Sequence, residues 1–235
     1  NACITIQGTF TVNTPLSITN STIIMQPGSE IVVNMATTTA TFNLRNNIAI
    51  RGCGTMWKGI RIVRGRLFLW DNQLISDADY AVNIEGARAI ASISRNNFDR
   101  NYVSVYVPPF TGGTARAVQS ANVINNKFSC SAPLAPKHAN QSPVQGNWAL
   151  AGAFINDQPG ITFSGSSTEF KDSRSGIIAE KSIVTVNSAT FKNLLDTPGS
   201  GTYGFLRNTA VYGNACPMIT VLNCKMNGVR NGIRV

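Results

Sequence analysis

Three aspartates are the residues of this chain whose type and spacing come closest to a catalytic site. Asp77 and Asp79 flank Ala78, so on a β-strand both side chains point the same way. Asp99 is expected near Asp77, one structural repeat further along the chain. Glycoside hydrolysis uses two carboxyl groups about 5–10 Å apart, and β-elimination uses a base beside an acidic cluster that often holds calcium. Asp77, Asp79 and Asp99 are therefore the candidate catalytic residues.

Other features of the sequence argue against catalysis. The chain has only 11 acidic residues and a single histidine, His138, which lies in an insertion between Pro136 and Pro143 and is expected at the surface. The paired aspartates, Gly-His-Gly and Arg-x-Lys typical of polygalacturonases are absent. No spacing suits a metal, and nothing supports a cofactor, calcium included. The sequence favours a protein that is not an enzyme, with polysaccharide cleavage as the alternative.

The cysteines leave two alternatives open. They are five in number and include no Cys-x-x-Cys pair. Cys216 and Cys224, eight residues apart, are predicted either to form a disulfide in an oxidising compartment or to remain buried thiols. Cys224 occupies a position that small or polar residues hold in other repeats, which favours a side chain stacked on its neighbours.

The basic residues provide the first binding hypothesis. The net charge is +9 and the isoelectric point is near 9.7. Arg45, Arg66 and Arg88 are 21 and 22 residues apart, which predicts a vertical row of arginines on one face, with Arg116 as its expected continuation. Such a row would bind an acidic partner such as an anionic polysaccharide. A solvated face is the alternative.

Two tyrosines provide the second binding hypothesis. Tyr102 and Tyr106 alternate with valines, so both side chains are expected to face outward from one strand. With Arg88 and Arg100 beside them, they would make a surface on which sugar rings stack. The ligand-binding candidates are Arg45, Arg66, Arg88, Arg100, Tyr102 and Tyr106.

A repeat must position these side chains. A large apolar residue follows two or three small polar residues six times, and we call it the anchor: Ile75, Phe98, Phe128, Phe170, Phe191 and Met226. Apart from Gly165, apolar residues recur seven and five places before the anchors, which places Phe68 and Trp70 in the core. They also recur seven places after four of them, at Val82, Val105, Ile177 and Ile233. This is the period-2 pattern of half-buried strands.

The repeat predicts an all-β chain. A strand-rich unit of about 21–23 residues without helical periodicity indicates a single-stranded right-handed parallel β-helix, a solenoid of about eight to ten coils. The anchors should then share one interior column. The Asn-Asn pairs at 46–47, 96–97 and 125–126 are expected at the corners, where asparagine tolerates the left-handed backbone and stacks on its neighbours.

The sequence predicts one domain over residues 1–235. Residues 1–65 read as irregular opening coils, and residues 66–235 as regular coils with insertions near 131–153 and 196–204. The last residues, 229–235, lie within a recognisable coil, whose exposed strands would pair with another element. We therefore expect an end-on contact at the C-terminal coil and a chain that is part of a longer protein.

Three stretches carry a family resemblance. Residues 53–60 read CGTMWKGI, residues 75–82 read ISDADYAV, and residues 96–107 read NNFDRNYVSVYV. Over about residues 20–110 the chain resembles secreted right-handed parallel β-helix repeat proteins of the Bacteroidota, within the pectate-lyase-like superfamily. The resemblance implies a β-helix in an exported or surface-attached protein, and it leaves the activity open.

Three functions remain after these arguments. The leading hypothesis is a non-catalytic, secreted or cell-surface module whose rigid face binds a glycan or another protein, with acidic partners among the candidates. The alternatives are a lyase or glycoside hydrolase acting on an acidic polysaccharide, and a structural stalk or fibre segment. Nucleic acid is not an expected partner because the aromatic residues fall mainly at core positions and no recognition motif is present. No apolar run is long enough to span a membrane.

Overall fold

The computed structural model describes residues 2–109, 121–137, 148–196 and 206–235. His138 and Arg116 lie outside these residues. The described chain is all-β, without helices. Its strands are, in chain order, β1 (Ala2–Ile6), β2 (Thr9–Val12), β3 (Leu16–Thr19), β4 (Ser21–Met25), β5 (Glu30–Asn34), β6 (Thr41–Arg45), β7 (Ala49–Gly52), β8 (Trp57–Trp70), β9 (Ile75–Ser76), β10 (Ala78–Ser94), β11 (Asn97–Asp99), β12 (Val103–Val107), β13 (Ala121–Ile124), β14 (Lys127–Ser129), β15 (Ala151–Asn156), β16 (Ile161–Ser164), β17 (Glu169–Lys171), β18 (Ser175–Glu180), β19 (Ile183–Asn187), β20 (Thr190–Lys192), β21 (Thr209–Asn214), β22 (Met218–Leu222), β23 (Lys225–Asn227) and β24 (Asn231–Arg234).

The strands form two parallel sheets. The narrow sheet has nine short strands in the order β1-β4-β7-β9-β11-β14-β17-β20-β23. The broad sheet has fifteen strands in two halves, which the long strands β8 and β10 connect. Its first half is β2, β5, β8, β10, β12, β15, β18, β21 and β24, and its second half is β3, β6, β8, β10, β13, β16, β19 and β22. The chain visits the narrow sheet, the first half and the second half in that order repeatedly, which is consistent with a parallel β solenoid.

The predicted column of anchors is confirmed. Each anchor pairs with the anchor of the next strand in the narrow sheet, from Ile75 to Met226. The rings of Phe98, Phe128, Phe170 and Phe191 stack with successive centroid distances of 5.2, 4.7 and 4.9 Å. All four phenylalanines are almost fully buried. This column forms the wall of the core under the narrow sheet.

Small residues on the broad sheet make room for the anchor column. A Cβ added to Gly152 would lie 2.4 Å from the ring of Phe170, and one added to Gly176 would lie 2.5 Å from the ring of Phe191. Small residues stand six places after four anchors, at Ala81, Ser104, Gly176 and Gly232. The large rings therefore fit because the facing strands carry only small side chains or none at these positions.

The prediction for Phe68 and Trp70 is wrong by one residue. Leu67 and Leu69 are fully buried and pair with the core residues Ala91 and Ile93, whereas Phe68 and Trp70 are half-buried on the outer face. The segment between β8 and its anchor is one residue longer than in the next repeat. Because side chains alternate along a strand, this one extra residue moves every side chain of the segment to the opposite face of the sheet.

The asparagine corners are confirmed as a ladder of amides. Asn47 Nδ2 donates to Asn72 Oδ1 at 3.0 Å, Asn72 Nδ2 to Asn96 Oδ1 at 2.8 Å, and Asn96 Nδ2 to Asn126 Oδ1 at 3.0 Å. Each accepting oxygen also accepts a hydrogen bond from the backbone N–H of the same asparagine whose side chain donates to it. The residue before each member, such as Asn46 with φ 55°, takes the left-handed conformation that turns the chain. The ladder satisfies buried polar groups where the strands stop.

The arginine row does not form. Thr41 pairs with Arg66 and Arg66 with Ile90, so the pairing offsets here are 25 and 24 residues rather than 21 and 22. The long strands β8 and β10 lengthen the repeat at this point. Arg45 instead lies against Trp70, with Cζ 5.1 Å from the ring centroid, and Arg66 Nε donates to the carbonyl oxygen of Thr38 at 3.2 Å. Arg88 pairs with Arg64.

The last strands expose apolar side chains. Met218, Leu222 and Ile233, on β22 and β24, are each about half exposed, at 50–52%. The end-on contact at this coil remains a prediction. The five cysteines are thiols, with Cys216 and Cys224 half-buried and packed against the core. Within the described residues, no helix is long and apolar enough to cross a membrane.

Candidate functional site

A row of outward side chains crosses the first half of the broad sheet. Its members occupy matching positions on successive strands: Arg61, Asn83, Tyr106, Phe154, Ile178 and Tyr212. They face outward because their neighbours along each strand, such as Val105 and Val107 beside Tyr106, are buried in the core. The row changes from polar at Arg61 and Asn83 to aromatic at Tyr106 and Phe154.

Aromatic rings cluster at the middle of this row, and we call Tyr80, Tyr102, Tyr106 and Phe154 the tyrosine face. Tyr80 and Tyr106 are stacked, with centroids 4.3 Å apart and planes 23° apart. Tyr102 meets Tyr80 edge-on at 6.4 Å, and Phe154 meets Tyr106 edge-on at 5.6 Å. All four rings are partly exposed. They present apolar ring surface together with three hydroxyl groups.

The tyrosine face continues into packed interior at one end. Ile178, next in the row after Phe154, is fully buried and packs with Leu150 and Leu206. Desolvation raises the pKa of Tyr80 to about 12, and burial likewise raises the pKa of Tyr102 and of Tyr106. These hydroxyls therefore stay protonated at neutral pH and can both donate and accept hydrogen bonds.

A charged cleft lies at the other end of the tyrosine face. Its volume is about 150 Å³, and its lining residues are Glu30, Lys58, Gly59, Arg61, Asp79, Tyr80 and Asn83. Arg61 Nε donates to Glu30 Oε1 at 3.0 Å, and the hydrogen bond to Glu30 raises the pKa of Arg61. A cleft of this size suits one small polar group rather than a whole drug-sized ligand. Its lining combines an exposed cation, Lys58, with hydrogen-bonding groups beside an aromatic surface.

The candidate aspartates lie in different surroundings. Asp77 is buried and takes a left-handed backbone conformation with φ 62°. Its carboxylate accepts two hydrogen bonds from Arg100, from Nε at 3.0 Å and from Nη2 at 3.1 Å. Asp77 and Arg100 line a separate cleft of about 260 Å³. Asp79 lines the charged cleft described above. The left-handed turn at Asp77 breaks the strand alternation on which the shared orientation of Asp77 and Asp79 was predicted.

The other two carboxylates also have protein partners. Asp79 is buried, and Lys137 Nζ lies 3.1 Å from its Oδ1 in an ion pair, although outside the direction of a hydrogen bond. Asp99 accepts hydrogen bonds from Ser129 Oγ at 2.9 Å, from Ser131 N–H at 2.8 Å and from Ser131 Oγ at 2.6 Å. In the described part of the chain no three acidic, histidine or cysteine side chains are placed to hold a metal ion.

The predicted binding residues separate in the structure. Tyr102 and Tyr106 both belong to the tyrosine face. Arg100 holds Asp77 in the second cleft, and Arg45 and Arg66 belong to β6 and to the second part of β8. Lys137 is one cation next to the tyrosines, with its Nζ 5.5 Å from the ring centroid of Tyr102, and the buried Arg174 also interacts with Tyr102.

Sequence reasoning missed Tyr80, Asn83, Phe154 and Lys58 as site residues. A signal was available for Asn83, because the outward row stands eight places after the anchors, at Asn83, Tyr106, Ile178 and Arg234. Phe154 follows an insertion that hides this spacing, and Tyr80 reaches the face from the beginning of β10. No sequence pattern marks Lys58 as a site residue, because only the folded chain places it in the lining of the charged cleft.

Comparisons with protein-family models, with curated proteins and with solved structures find no match to this chain. Partly exposed rings in a row suit the apolar faces of sugar rings, and polar groups at the edge suit hydroxyl groups or a charged substituent.

Proposed function

We propose that the chain is a non-catalytic glycan-binding module that uses the tyrosine face and the charged cleft. One observation carries this proposal: the stacked rings of Tyr80 and Tyr106, followed by Phe154, form a partly exposed aromatic surface next to hydrogen-bonding groups. Parallel strands lie about 4.8 Å apart, so Tyr106 and Phe154, at matching positions on adjacent strands, lie along one line across the sheet, and Tyr80 stacks against Tyr106. A linear glycan lying along that line would contact several rings at once.

The carboxylates of the region favour binding over cleavage. A glycosidase uses one carboxyl group as a proton donor and a second as a base or nucleophile. Glu30 is engaged by Arg61, Asp79 by Lys137 and Asp77 by Arg100. None of these carboxylates can move a proton without first breaking an ion pair. Polysaccharide cleavage stays the alternative, and loss of activity in Asp79→Asn together with unchanged glycan affinity would establish it.

The fold that we propose for this module is a single-stranded right-handed parallel β-helix of about eight to ten coils in an exported or cell-surface protein. The recurring strand order and the continuous anchor column support the β-helix. The resemblance to secreted β-helix proteins of the Bacteroidota supports export. A rigid column of rings would hold the tyrosine face straight, which reduces the ordering cost of binding.

A glycan array tests the proposal, followed by titration of the best-bound glycan. The informative variant is Tyr106→Leu/Phe154→Leu, which removes two flat ring surfaces and keeps apolar bulk. We expect its affinity to fall about fivefold or more, since each of the two ring contacts contributes about 0.5–1.5 kcal/mol. The matched control is Phe68→Leu, a half-buried ring on the second half of the broad sheet. Equal affinity in all three proteins, or no glycan bound by the parent chain, would refute the proposal.

A further inference from the structure

The outer face of the narrow sheet carries a group of lysines that the proposed function does not use. On β14, β17, β20 and β23 the middle residue is an inward anchor, so the two flanking residues point outward. Half of these eight outward positions are lysine, and we call them the lysine face: Lys127, Lys171, Lys192 and Lys225.

The strand register sets two of the lysines side by side and the other two at the ends of the neighbouring file. Lys171 pairs directly with Lys192 on the next strand, and the strands are about 4.8 Å apart. Lys127 pairs with Glu169, and Thr190 pairs with Lys225. Directly paired like charges destabilise a sheet unless another group compensates them. The stacked anchors underneath prevent the strands from moving apart to relieve this repulsion.

Acidic residues of the chain compensate only part of this charge. Lys192 Nζ lies 2.7 Å from Glu169 Oε2, and Lys171 Nζ lies 3.7 Å from Asp172 Oδ2. Lys127 and Lys225 are exposed, and in the described ranges neither makes an ion pair. Four lysines thus share one glutamate of the face and one aspartate at its edge. The surface stays positive along its length.

We propose that the lysine face binds a linear polysaccharide that carries sulfate or carboxylate groups. Lysine is a compact point charge without the fork of arginine, so it attracts anions by charge and does not require one anion geometry. The charges lie in two adjacent files on a rigid sheet, Lys127 with Lys225 and Lys171 with Lys192, and such an array suits a regularly charged, extended chain. This inference is independent of the tyrosine face, which lies on the other sheet.

The composition of the lysine face disfavours two other anionic partners, single-stranded nucleic acids and membrane surfaces. Single-stranded nucleic acids bind where bases stack on exposed aromatic rings, and the outward residues of these four strands include no aromatic ring. Membrane surfaces bind through basic residues with apolar side chains that insert into the interface. Here the apolar residues of the four strands, Phe128, Phe170, Phe191 and Met226, all point inward.

The experiment compares three polymers with one backbone: dextran, carboxymethyl-dextran and dextran sulfate. We expect the complete chain to bind both charged polymers, not to bind dextran through this face, and to lose affinity as salt is added. The variant Lys127→Gln/Lys225→Gln should bind both charged polymers at least fivefold more weakly. It should fold normally, because neither lysine has an ion pair to lose.

The control Lys181→Gln/Arg234→Gln removes the same charge from exposed positions away from the lysine face and should bind nearly as well as the parent chain. Equal losses in the two double variants would show a mere effect of net charge and overturn the proposal. Failure of the parent chain to bind either charged polymer would also overturn it. Stronger, lysine-dependent binding to single-stranded DNA or to phosphatidylglycerol vesicles would assign the face to a different partner. Tyr106→Leu/Phe154→Leu should retain dextran sulfate binding, which separates this test from that of the tyrosine face.

Discussion

The rings of Phe170 and Phe191 stack with centroids 4.9 Å apart and planes only 8° apart. Phe191 also faces Gly176, where a Cβ would lie 2.5 Å from its ring. The interior is therefore built from two complementary rows, one of large rings and one of small residues. Each functional surface is carried on the outside of this packing.

The variant Gly176→Ala tests this complementarity. The new methyl group would overlap the Phe191 ring and approach the carbonyl oxygen of Ala210 to 2.6 Å. We expect the free energy of unfolding to fall by about 1–3 kcal/mol, the usual cost of overpacking a core. Urea denaturation measures it. The control is Gly160→Ala, since a Cβ there meets nothing within 4 Å. Equal stability of the two variants would contradict the packing described here.

The asparagine ladder makes a second prediction. Asn96 accepts hydrogen bonds from Asn72 and donates to Asn126 and to the carbonyl oxygen of Leu69. In Asn96→Ala these buried groups lose their partner, and each unsatisfied group costs about 1–3 kcal/mol. We expect a loss of stability of at least about 2 kcal/mol in thermal or chemical unfolding. Its exposed neighbour is the control: Asn97→Ala should change stability by less than about 1 kcal/mol. If the ladder did not stabilise the fold, Asn96→Ala and Asn97→Ala would have the same free energy of unfolding.

Sequence alone predicted the anchor column and the asparagine corners because both depend on residue types that recur at a fixed phase. It failed for Phe68 and Trp70, since one extra residue before Ile75 reverses the alternation without changing the apolar composition of the segment. It also failed for the arginine row. The chain spacing of 21 and 22 residues was taken from the shortest repeats, whereas the repeats that contain β8 and β10 are longer.

The site was less predictable than the fold. Tyr106 was found because it alternates with core valines, but its stacking partner Tyr80 belongs to a different strand and its other neighbour Phe154 follows a long insertion. Contacts of this kind depend on tertiary packing, which a local pattern does not contain. The pairing of Asp77 with Arg100 likewise depends on a left-handed turn that reorients the carboxylate.

The raised pKa of Tyr80 makes stability depend on pH in the alkaline range. Burial raises this pKa from the ordinary value of 10 to about 12, so the folded chain holds a proton that the unfolded chain releases. The stabilisation linked to this proton is complete below pH 10 and is lost as the pH rises through about 12. Ultraviolet absorbance should show a tyrosine that titrates near pH 12 and disappears in Tyr80→Phe. A difference titration centred near pH 10 would exclude the proposed burial.

The ion pair of Asp77 with Arg100 should stabilise the fold. Asp77 is buried, and Arg100 holds it with two hydrogen bonds while its own pKa is raised by them. We expect Asp77→Asn to lower the free energy of unfolding by about 1–3 kcal/mol, since it breaks a largely buried pair. In contrast, Asp71→Asn removes an exposed pair with Arg95 and should have no measurable effect. If the two variants lost the same stability, Asp77 would not have the structural role assigned to it.

The most direct test of the account is the strand register, because the tyrosine face and the lysine face both follow from it. Thr162 and Thr185 are outward partners on adjacent strands, whereas Thr162 and Asn187 are two residues out of register. Neighbouring parallel strands stand about 4.8 Å apart, within the range of Cα separations that a disulfide spans. Mild oxidation of Thr162→Cys/Thr185→Cys should give a disulfide that peptide mapping by mass spectrometry detects, and Thr162→Cys/Asn187→Cys should not. The opposite result, a bridge only in the second pair, would contradict the register and both proposed surfaces with it.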